Sequence, residues 1–413
     1  MITINQPYIE KKDGHSFLVS HIIDEGQRIE EDVFYSVPEQ YGNCLIEEVA
    51  DAFAVGCLLP AVLYNQDIMV RGAMSERLYY NISNSVLYIL SLIYKHKVTL
   101  KAEKLVNLNL EPKAVGCGCS LGVDSFAALL QHLKTPFGEK STPSSYRITH
   151  LTYFNVGAMG YVDLAKAKAS YDKDIQKVLS FAKEVGLPVV GLESNFSILY
   201  KDFDFDASGD LRNFSAALSL QKLFGKYLYG SSFPIADFKF DKGQTGYYES
   251  LLAPLLSTDN TEIIIANPNM SRIDKTRFII DNPLTPKYLY VCWKELIANR
   301  WPNSEVARVK DEHLNCTRCD KCKRTLLAID LMGKLPQFES IFDIPYWKKV
   351  KDAYVAKVIF FKDENAFYKD LYALMQEKRY RPNQNVRKEI FKLKLKQSFF
   401  VRGWAKVKQM IAK

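Results

Sequence analysis

Apolar residues along the chain follow two spacings, and their alternation predicts strands separated by helices. The apolar run 114–119 and the β-branched and aromatic run 148–155 are typical of buried strands. Across 163–185 the apolar residues recur at three- and four-residue steps, which predicts an amphipathic helix that ends at Gly186. The pattern then predicts a strand at 188–192, a helix at about 212–225, and strands at 226–231 and 263–266. This alternation indicates an α/β fold with a doubly wound parallel sheet, which binds ligands at the carboxyl ends of its strands.

The segments that flank this alternating region divide the chain into three predicted domains. Residues 1–105 begin with strand-like pieces and continue with two helices, which predicts an added N-terminal α+β accessory domain. Residues 106–334 contain the predicted parallel sheet and a cysteine-rich segment. The sequence of residues 335–413 predicts a helical, basic C-terminal extension. A chain of 413 residues is long enough for two or three domains of ordinary size.

The most informative polar stretch follows the strand predicted at 114–119. It consists of Ser120, Leu121, Gly122, Val123, Asp124 and Ser125. A tight turn between a strand and a helix brings backbone N–H groups and a helix N-terminus to one anion, and serine hydroxyls add donors. An aspartate in such a turn either holds a magnesium ion or caps the helix. The chain has no GxxxxGK[ST] pattern, which excludes a Walker A loop, whereas an ordinary capped turn stays the alternative.

Three cysteines at successive CxxC spacing, Cys316, Cys319 and Cys322, predict a metal site near the end of the central region. Turns of this length bring thiolates onto one ion, and zinc is the metal that they favour. Lysine and arginine residues interleave the cysteines, which favours thiolates over inert buried thiols. A closed zinc site needs a fourth ligand, and either Cys292 or His313 meets that need.

The two motifs together resemble the 7-cyano-7-deazaguanine synthases, queuosine-pathway enzymes of the PP-loop N-type ATP pyrophosphatase superfamily. The superfamily pattern is SGGxDS, and Leu121 stands here where the family has glycine. The synthases place a Cys-aromatic pair before a CxxCxxC cluster and a nearby arginine, as Cys292-Trp293 and Arg324 do here. The resemblance therefore implies Cys292 as the fourth zinc ligand and a sheet of the adenine nucleotide alpha hydrolase (HUP) type. It covers roughly residues 110–330 and does not extend to the N-terminal segment.

The resemblance also implies roles for polar residues at the predicted strand ends. Arg212 belongs to an Arg-Asn pair that opens a helix, and Lys275 stands where the family has a lysine that would neutralise departing pyrophosphate. With Asp124, these two residues are the predicted catalytic groups. The residues expected to contact ATP, beyond the turn 120–125 itself, are Asn155, Asn213 and Gly230.

Two functions from different classes follow. The first is an enzyme that uses ATP and Mg²⁺ to adenylate an acceptor oxygen, a carboxylate or an amide, and releases pyrophosphate. Ammonia or another nucleophile would then displace AMP, as the resemblance implies. The second is a zinc-containing nucleic-acid-binding or RNA-modifying (thiolation-type) protein in which the PP-loop is regulatory or vestigial. Thiolation would use Cys117 or Cys119 as a persulfide carrier, but a small apolar role in a crowded strand is the favoured interpretation of both.

Charge and composition indicate the expected cellular compartment and the expected partners of the protein. The N-terminal residues lack the apolar run of a secretory signal, and we expect a cytoplasmic protein. Residues 377–413 contain twelve Lys and Arg against two Glu, a net charge of +10, whereas the whole chain carries +8. Such a basic tail predicts a polyanionic partner or an anionic surface, with an exposed basic helix as the alternative. The other expected partners are a small-molecule or macromolecular acceptor and a second copy of the chain in a homodimer.

Overall fold

The computed structural model describes residues 1–159, 164–310 and 312–411, and it confirms the predicted α/β class. The chain forms two compact units, residues 1–270 and residues 271–413. The three domains predicted from the sequence stay a prediction, since neither predicted boundary coincides with this division.

Eleven strands of the first unit form one sheet. In chain order they are β1 (Ile2–Asn5), β2 (Tyr8–Lys12), β3 (His15–Asp24), β4 (Ile29–Pro38), β5 (Ile68–Ser75), β6 (Leu100–Val106), β7 (Ala114–Gly118), β8 (His150–Asn155), β9 (Val189–Ser194), β10 (Phe224–Gly230) and β11 (Glu262–Ala266). Across the sheet their order is β11-β10-β7-β8-β9-β4-β3-β1-β5-β6, and β2 pairs with β3.

The helices of the first unit are α1 (Asp51–Leu63), α2 (Glu76–Asn81), α3 (Leu87–Tyr94), α4 (Val123–His132), α5 (Leu164–Val185), α6 (Gly209–Leu218) and α7 (Glu249–Leu255). A π-helical turn, Ile82–Val86, joins α2 to α3. Those of the second unit are α8 (Arg272–Ile279), α9 (Thr285–Tyr288), α10 (Lys294–Arg300), α11 (Asp320–Leu331), α12 (Ile344–Phe360), α13 (Ala366–Glu377) and α14 (Gln384–Ile411).

Strands β7 to β11 are mutually parallel, and their order reverses beside β7. The chain passes from β7 to β8 and β9 on one side, then returns to place β10 and β11 on the other side. Gly116 in β7 is paired with His150 of β8 on one side and with Tyr227 of β10 on the other. This is the strand order of a doubly wound sheet, in which the chain first extends the sheet on one side of β7 and then crosses back to extend it on the other.

The N-terminal strands continue the same sheet. Strand β4 pairs antiparallel with β9, with Tyr35 opposite Ser194, and β3 and β1 extend the sheet from there. The Tyr35 hydroxyl is hydrogen-bonded to the Ser215 hydroxyl, which donates to the Ala52 carbonyl at 2.6 Å, so β4, α6 and α1 are linked in one buried contact. One apolar core contains residues from both sides of position 105. The sequence pattern predicted the strand-like pieces but not this pairing.

In the parallel region, strand pairing determines where the neighbouring helices end. The helix predicted at 212–225 is α6, which ends at Leu218, because Phe224 already pairs with Ala114 as the first residue of β10. The helix predicted at 163–185 is α5, and residue 163 lies outside the described residues. Gly186 ends α5 with a φ of +68°, a conformation that glycine adopts without a steric penalty.

In the second unit, four helices share a small core. Trp347 of α12 is fully buried, and its indole N–H donates to Asp330 of α11 at 2.8 Å. Helix α14 packs along α12, where Val386 is buried and Asn383 donates to Asp352 at 3.2 Å. Among the described residues, no helix combines the length and apolarity needed to cross a bilayer. Residues 412 and 413 of the predicted C-terminal extension lie outside the described part of the chain.

The shared sheet predicts that the chain cannot fold without its first 105 residues. Their removal would expose the β9 edge and the apolar residues that face α1, including Phe196, whose ring lies 6.2 Å from that of Phe53. We expect a chain that begins at 106 to aggregate or to lack a cooperative thermal transition, measured by circular dichroism. The full chain with Tyr35→Phe, which removes a single hydroxyl, is the control and should melt cooperatively. A soluble, cooperative truncated chain would show that residues 1–105 are a separable domain.

Candidate functional site

The turn after β7 lies where the strand order reverses. Ser120 and Leu121 form the turn, Gly122 precedes α4 in an extended conformation, and α4 begins at Val123. The N–H groups of the first helical turn have no acceptor within the helix, and they point out of its N-terminus. In doubly wound sheets, ligands bind in the crevice at this reversal. The turn therefore has the position and the donors of an anion site.

The Ser125 hydroxyl holds the turn together through two hydrogen bonds to its backbone. Its hydroxyl donates to the Gly118 carbonyl at 2.8 Å and accepts the Ser120 N–H at 3.0 Å. The Ser120 hydroxyl accepts the Gly122 N–H at 3.4 Å. Both serines predicted to contact phosphate thus take part in hydrogen bonds that fix the shape of the loop.

Leu121 has a backbone conformation that glycine adopts more easily than leucine does. Its φ is +58°, the left-handed region that a branched side chain enters at a cost of roughly 1–2 kcal/mol. The Leu121 side chain is 1% exposed, so apolar burial offsets part of that cost. The loop therefore has a backbone shape that glycine would adopt freely, with a buried leucine at this position.

Gly230, at the end of β10, lies against the same turn. A Cβ atom there would be 2.6 Å from the carbonyl oxygen and 2.9 Å from the carbonyl carbon of Asp124. Both are backbone atoms that cannot move aside as a flexible side chain does. The sequence predicted close approach of Gly230 to a nucleotide, whereas the structure shows close approach to the first turn of α4.

Arg212 lies beneath the loop that follows β8. It is 2% exposed, and its Nη1 donates to the Val156 carbonyl at 2.9 Å and to the Ser197 hydroxyl at 3.3 Å. Its guanidinium carbon lies 4.0 Å from the centroid of the Tyr200 ring. Gly157, with a φ of +113°, leaves the space that this guanidinium occupies. Arg212 thus holds the loop after β8 in place.

The other residues predicted from strand ends have local partners. The Asn155 side chain donates to Glu193 at 3.4 Å, and the Asn213 side chain donates to the Gly209 carbonyl within α6 at 2.7 Å. Lys275 belongs to the second unit, where it is fully buried on α8. Ser271 and Asp274 form a capping box that fixes the start of this helix.

A buried carboxyl pair near the end of β10 was not predicted from the sequence. Asp210 accepts hydrogen bonds from Tyr229, at 3.0 Å, and from Thr245, and it shares a further hydrogen bond with Glu249. Burial raises the pKa of Asp210, which favours one shared proton between the two carboxyls. Its sequence signal is a carboxylate in the first turn of a helix, GDLRNFSAAL, most of whose residues are buried.

Four cysteines come together in the second unit. The sulfur atoms of Cys292, Cys316, Cys319 and Cys322 all lie within 4.8 Å of one another. The Cys316 and Cys322 sulfurs are 3.9 Å apart, and all four thiols are free. Four thiolates about 2.3 Å from a tetrahedral zinc ion stand about 3.8 Å apart, so the cluster has the dimensions of a closed zinc site.

Backbone N–H groups point at these sulfurs, as they do in thiolate sites. Cys292 accepts from the N–H groups of Lys294 and Cys316, both at 3.3 Å. Cys316 accepts from Cys319 at 3.3 Å, and Cys319 accepts from Cys322 at 3.4 Å as the N-cap of α11. N–H donors and a helix N-terminus both stabilise negative sulfur.

The charge of the cluster favours a bound cation. Hydrogen bonds from the neighbouring cysteines, that of Cys292 first, lower the pKa of Cys319, whereas burial raises the pKa of Cys322. Several thiolates cannot stay close together in a buried site unless a metal ion neutralises them. The donor set therefore fits a metal ion such as zinc, with four ligands and no open position.

His313, the alternative fourth ligand, is not one of the four grouped residues. It lines a separate cavity of about 490 Å³ together with Arg318 and Tyr346. Arg324, the arginine of the resemblance, is 7% exposed on α11, and its guanidinium carbon lies 3.9 Å from the Phe367 ring centroid.

No protein-family model, curated protein or solved structure gives a significant match to this chain.

The left-handed backbone of Leu121 predicts an unusual order of stability in a pair of variants. Leu121→Gly and Leu121→Ala both remove the buried side chain, but glycine alone also removes the steric strain. We expect the glycine variant to be more stable than the alanine variant by about 1 kcal/mol in urea unfolding. At exposed Ala169 in α5 the order should reverse, because Ala169→Gly costs about 1 kcal/mol in a helix interior. An alanine variant at 121 at least as stable as the glycine variant would contradict the strain.

The four-cysteine geometry predicts about one zinc per chain by elemental analysis. We expect Cys319→Ser to lose the metal, because a closed tetrahedral site tolerates no missing ligand. Cys44→Ser, which changes a cysteine of the first unit outside the cluster, is the matched control and should retain it. Zinc retained by Cys292→Ser but lost by His313→Ala would show that His313, and not Cys292, is the fourth ligand.

Proposed function

We propose that the chain is an ATP-dependent enzyme of the PP-loop type, with the turn 120–125 as its pyrophosphate site. One observation supports this most: the SLGVDS turn occupies the reversal point of a doubly wound sheet. An ordinary capped turn could occur after any strand, but the nucleotide crevice of such a sheet has this single position. A HUP-type sheet is part of the proposal.

The proposed reaction has two steps. An acceptor oxygen attacks the α-phosphorus of ATP, the bond from that phosphorus to the bridging oxygen breaks, and pyrophosphate departs with the electron pair. A nitrogen nucleophile then forms a bond to the activated carbon, and AMP leaves with the electrons of the carbon–oxygen bond. In the first step the chain must stabilise negative charge on the departing pyrophosphate. The N–H groups of Val123 and Asp124 at the start of α4 supply fixed positive dipoles for this purpose.

The remaining predicted residues take supporting roles in this proposal. Asp124 would hold Mg²⁺, which neutralises the phosphate charges when it is bound. A role of Lys275 in neutralising pyrophosphate stays an expectation from the resemblance, because this residue is fully buried in the second unit. Arg212 would act as a positioning residue, because its hydrogen bond to Val156 fixes the loop after β8. Zinc would have a structural role, since four cysteines leave it no free coordination position.

The alternative function, a zinc-containing nucleic-acid-binding or RNA-modifying protein, has one supporting observation. Trp293 and Trp301 are 37% and 54% exposed, with Lys321 and Arg300 within 5 Å of their respective ring centroids. Exposed tryptophans beside cations suit stacked bases. A thiolation role for the strand cysteines is less well supported, since Cys117 is fully buried and burial raises its pKa to about 12. A polyanionic partner for the basic tail stays a prediction, and it is compatible with either function.

Nucleotide binding tests the proposal. Calorimetry with a non-hydrolysable ATP analogue and Mg²⁺ should show binding that Asp124→Ala weakens about tenfold, or about 1.4 kcal/mol. Asp172→Ala, which removes an exposed aspartate of α5, is the control and should bind as the unmodified chain does. Equal affinity in the Asp124 variant would contradict the proposal, and ATP turnover without pyrophosphate release would exclude the proposed chemistry.

A further inference from the structure

A cleft of about 540 Å³ in the first unit is lined by two parts of the chain that are distant in sequence. Tyr64 and Tyr94 come from the N-terminal segment, Asp202, Phe203 and Asp204 follow β9, and Lys242 follows β10. The resemblance to the synthases does not extend to Tyr64 and Tyr94.

The sheet topology places this cleft at the carboxyl edge of the parallel strands. Strand β4 is antiparallel to β9, β3 to β4, and β1 to β3, while β5 and β6 run parallel to β1. Strands β5 and β6 therefore run opposite to β7–β11, and the segments that lead into them lie at the edge where β9 and β10 end. Tyr64 precedes β5, and Tyr94 precedes β6. This is the edge at which doubly wound sheets bind ligands.

The rim of the cleft is acidic. Asp202 and Asp204, from the sequence DFDFD, line the cleft, and both are exposed. Asp202 also accepts a hydrogen bond from the Tyr64 hydroxyl. Phe203 faces inward at 4% exposure, with its ring centroid 6.3 Å from that of Tyr94. Carboxylates above an aromatic floor attract an organic cation through charge and through the ring faces.

The surroundings of Tyr94 indicate which kind of ligand group its ring can contact. The ammonium group of Lys242 lies 5.4 Å from the centroid of this ring, so an ammonium is already placed against it.

We propose that this cleft binds an organic primary amine in its ammonium form, with an apolar body over Tyr94 and Phe203 and its charge toward Asp204. Its role as the nitrogen nucleophile of the second step rests on the proposed function, whereas binding does not. In that step the ammonium first releases a proton to water. The free amine nitrogen then bonds to the activated carbon, AMP leaves with the electron pair of the broken carbon–oxygen bond, and the new amide releases a second proton to water.

The test uses the full chain without ATP, with benzylamine as the probe and benzyl alcohol as its neutral counterpart. Calorimetry should show benzylamine binding about fivefold tighter than benzyl alcohol, because the alcohol lacks the charge. Asp204→Asn should weaken benzylamine binding about threefold. Lys242→Met should tighten it about twofold, because the competing ammonium is removed from the Tyr94 ring. Asp172→Asn, on the exposed face of α5, is the matched control and should change nothing.

Three results would overturn the cleft proposal: equal binding of amine and alcohol, no effect of either cleft variant, or displacement of benzylamine by an equal concentration of MgCl₂. Affinity for the ATP analogue, measured in the same variants, separates this proposal from the proposed function. A chain that binds the analogue but not benzylamine overturns the cleft alone. A chain that binds benzylamine through Asp204 but not the analogue supports the cleft and overturns the nucleotide site.

Discussion

The reversal of strand order beside β7 is the constraint on which the proposed nucleotide site depends. Because β8 and β10 flank β7 but are reached in opposite directions along the chain, no crossover covers the turn after β7. The SLGVDS turn fills that position, and Gly230 allows β10 to end directly against Asp124. A residue with a Cβ atom at 230 would separate the two loops. The left-handed Leu121 and the hydroxyl of Ser125 then fix the turn so that the N-terminus of α4 stays accessible.

A second constraint is the antiparallel pairing of β4 with β9. It makes the first 105 residues part of the main sheet, and it determines which of their loops lie at the ligand-binding edge. Tyr64 and Tyr94 reach the cleft for this reason alone. Residues 1–105, which the resemblance to the synthases does not cover, therefore contribute two tyrosine side chains to the wall of the proposed amine cleft.

Features that depend on nearby residues were predictable from the sequence. The strand, turn and helix around SLGVDS need no distant partner, and the CxxCxxC spacing brings three sulfurs together within seven residues. Cys292 lies 24 residues before Cys316, and the resemblance rather than the spacing distinguished it from His313.

Features that depend on distant residues were not predictable. The β4–β9 pairing joins residues 35 and 194, and the carboxyl pair of Asp210 and Glu249 joins the first turns of α6 and α7. The predicted end of α6 was wrong because the register of β10 against β7 determines where this helix stops.

Hydrogen–deuterium exchange with and without a non-hydrolysable ATP analogue shows most directly whether ATP binds where the strand order reverses. A nucleotide bound there should slow exchange in peptides that cover 119–126 and 230–234. Protection confined to the cysteine-rich segment 292–324, or none at all, would contradict it.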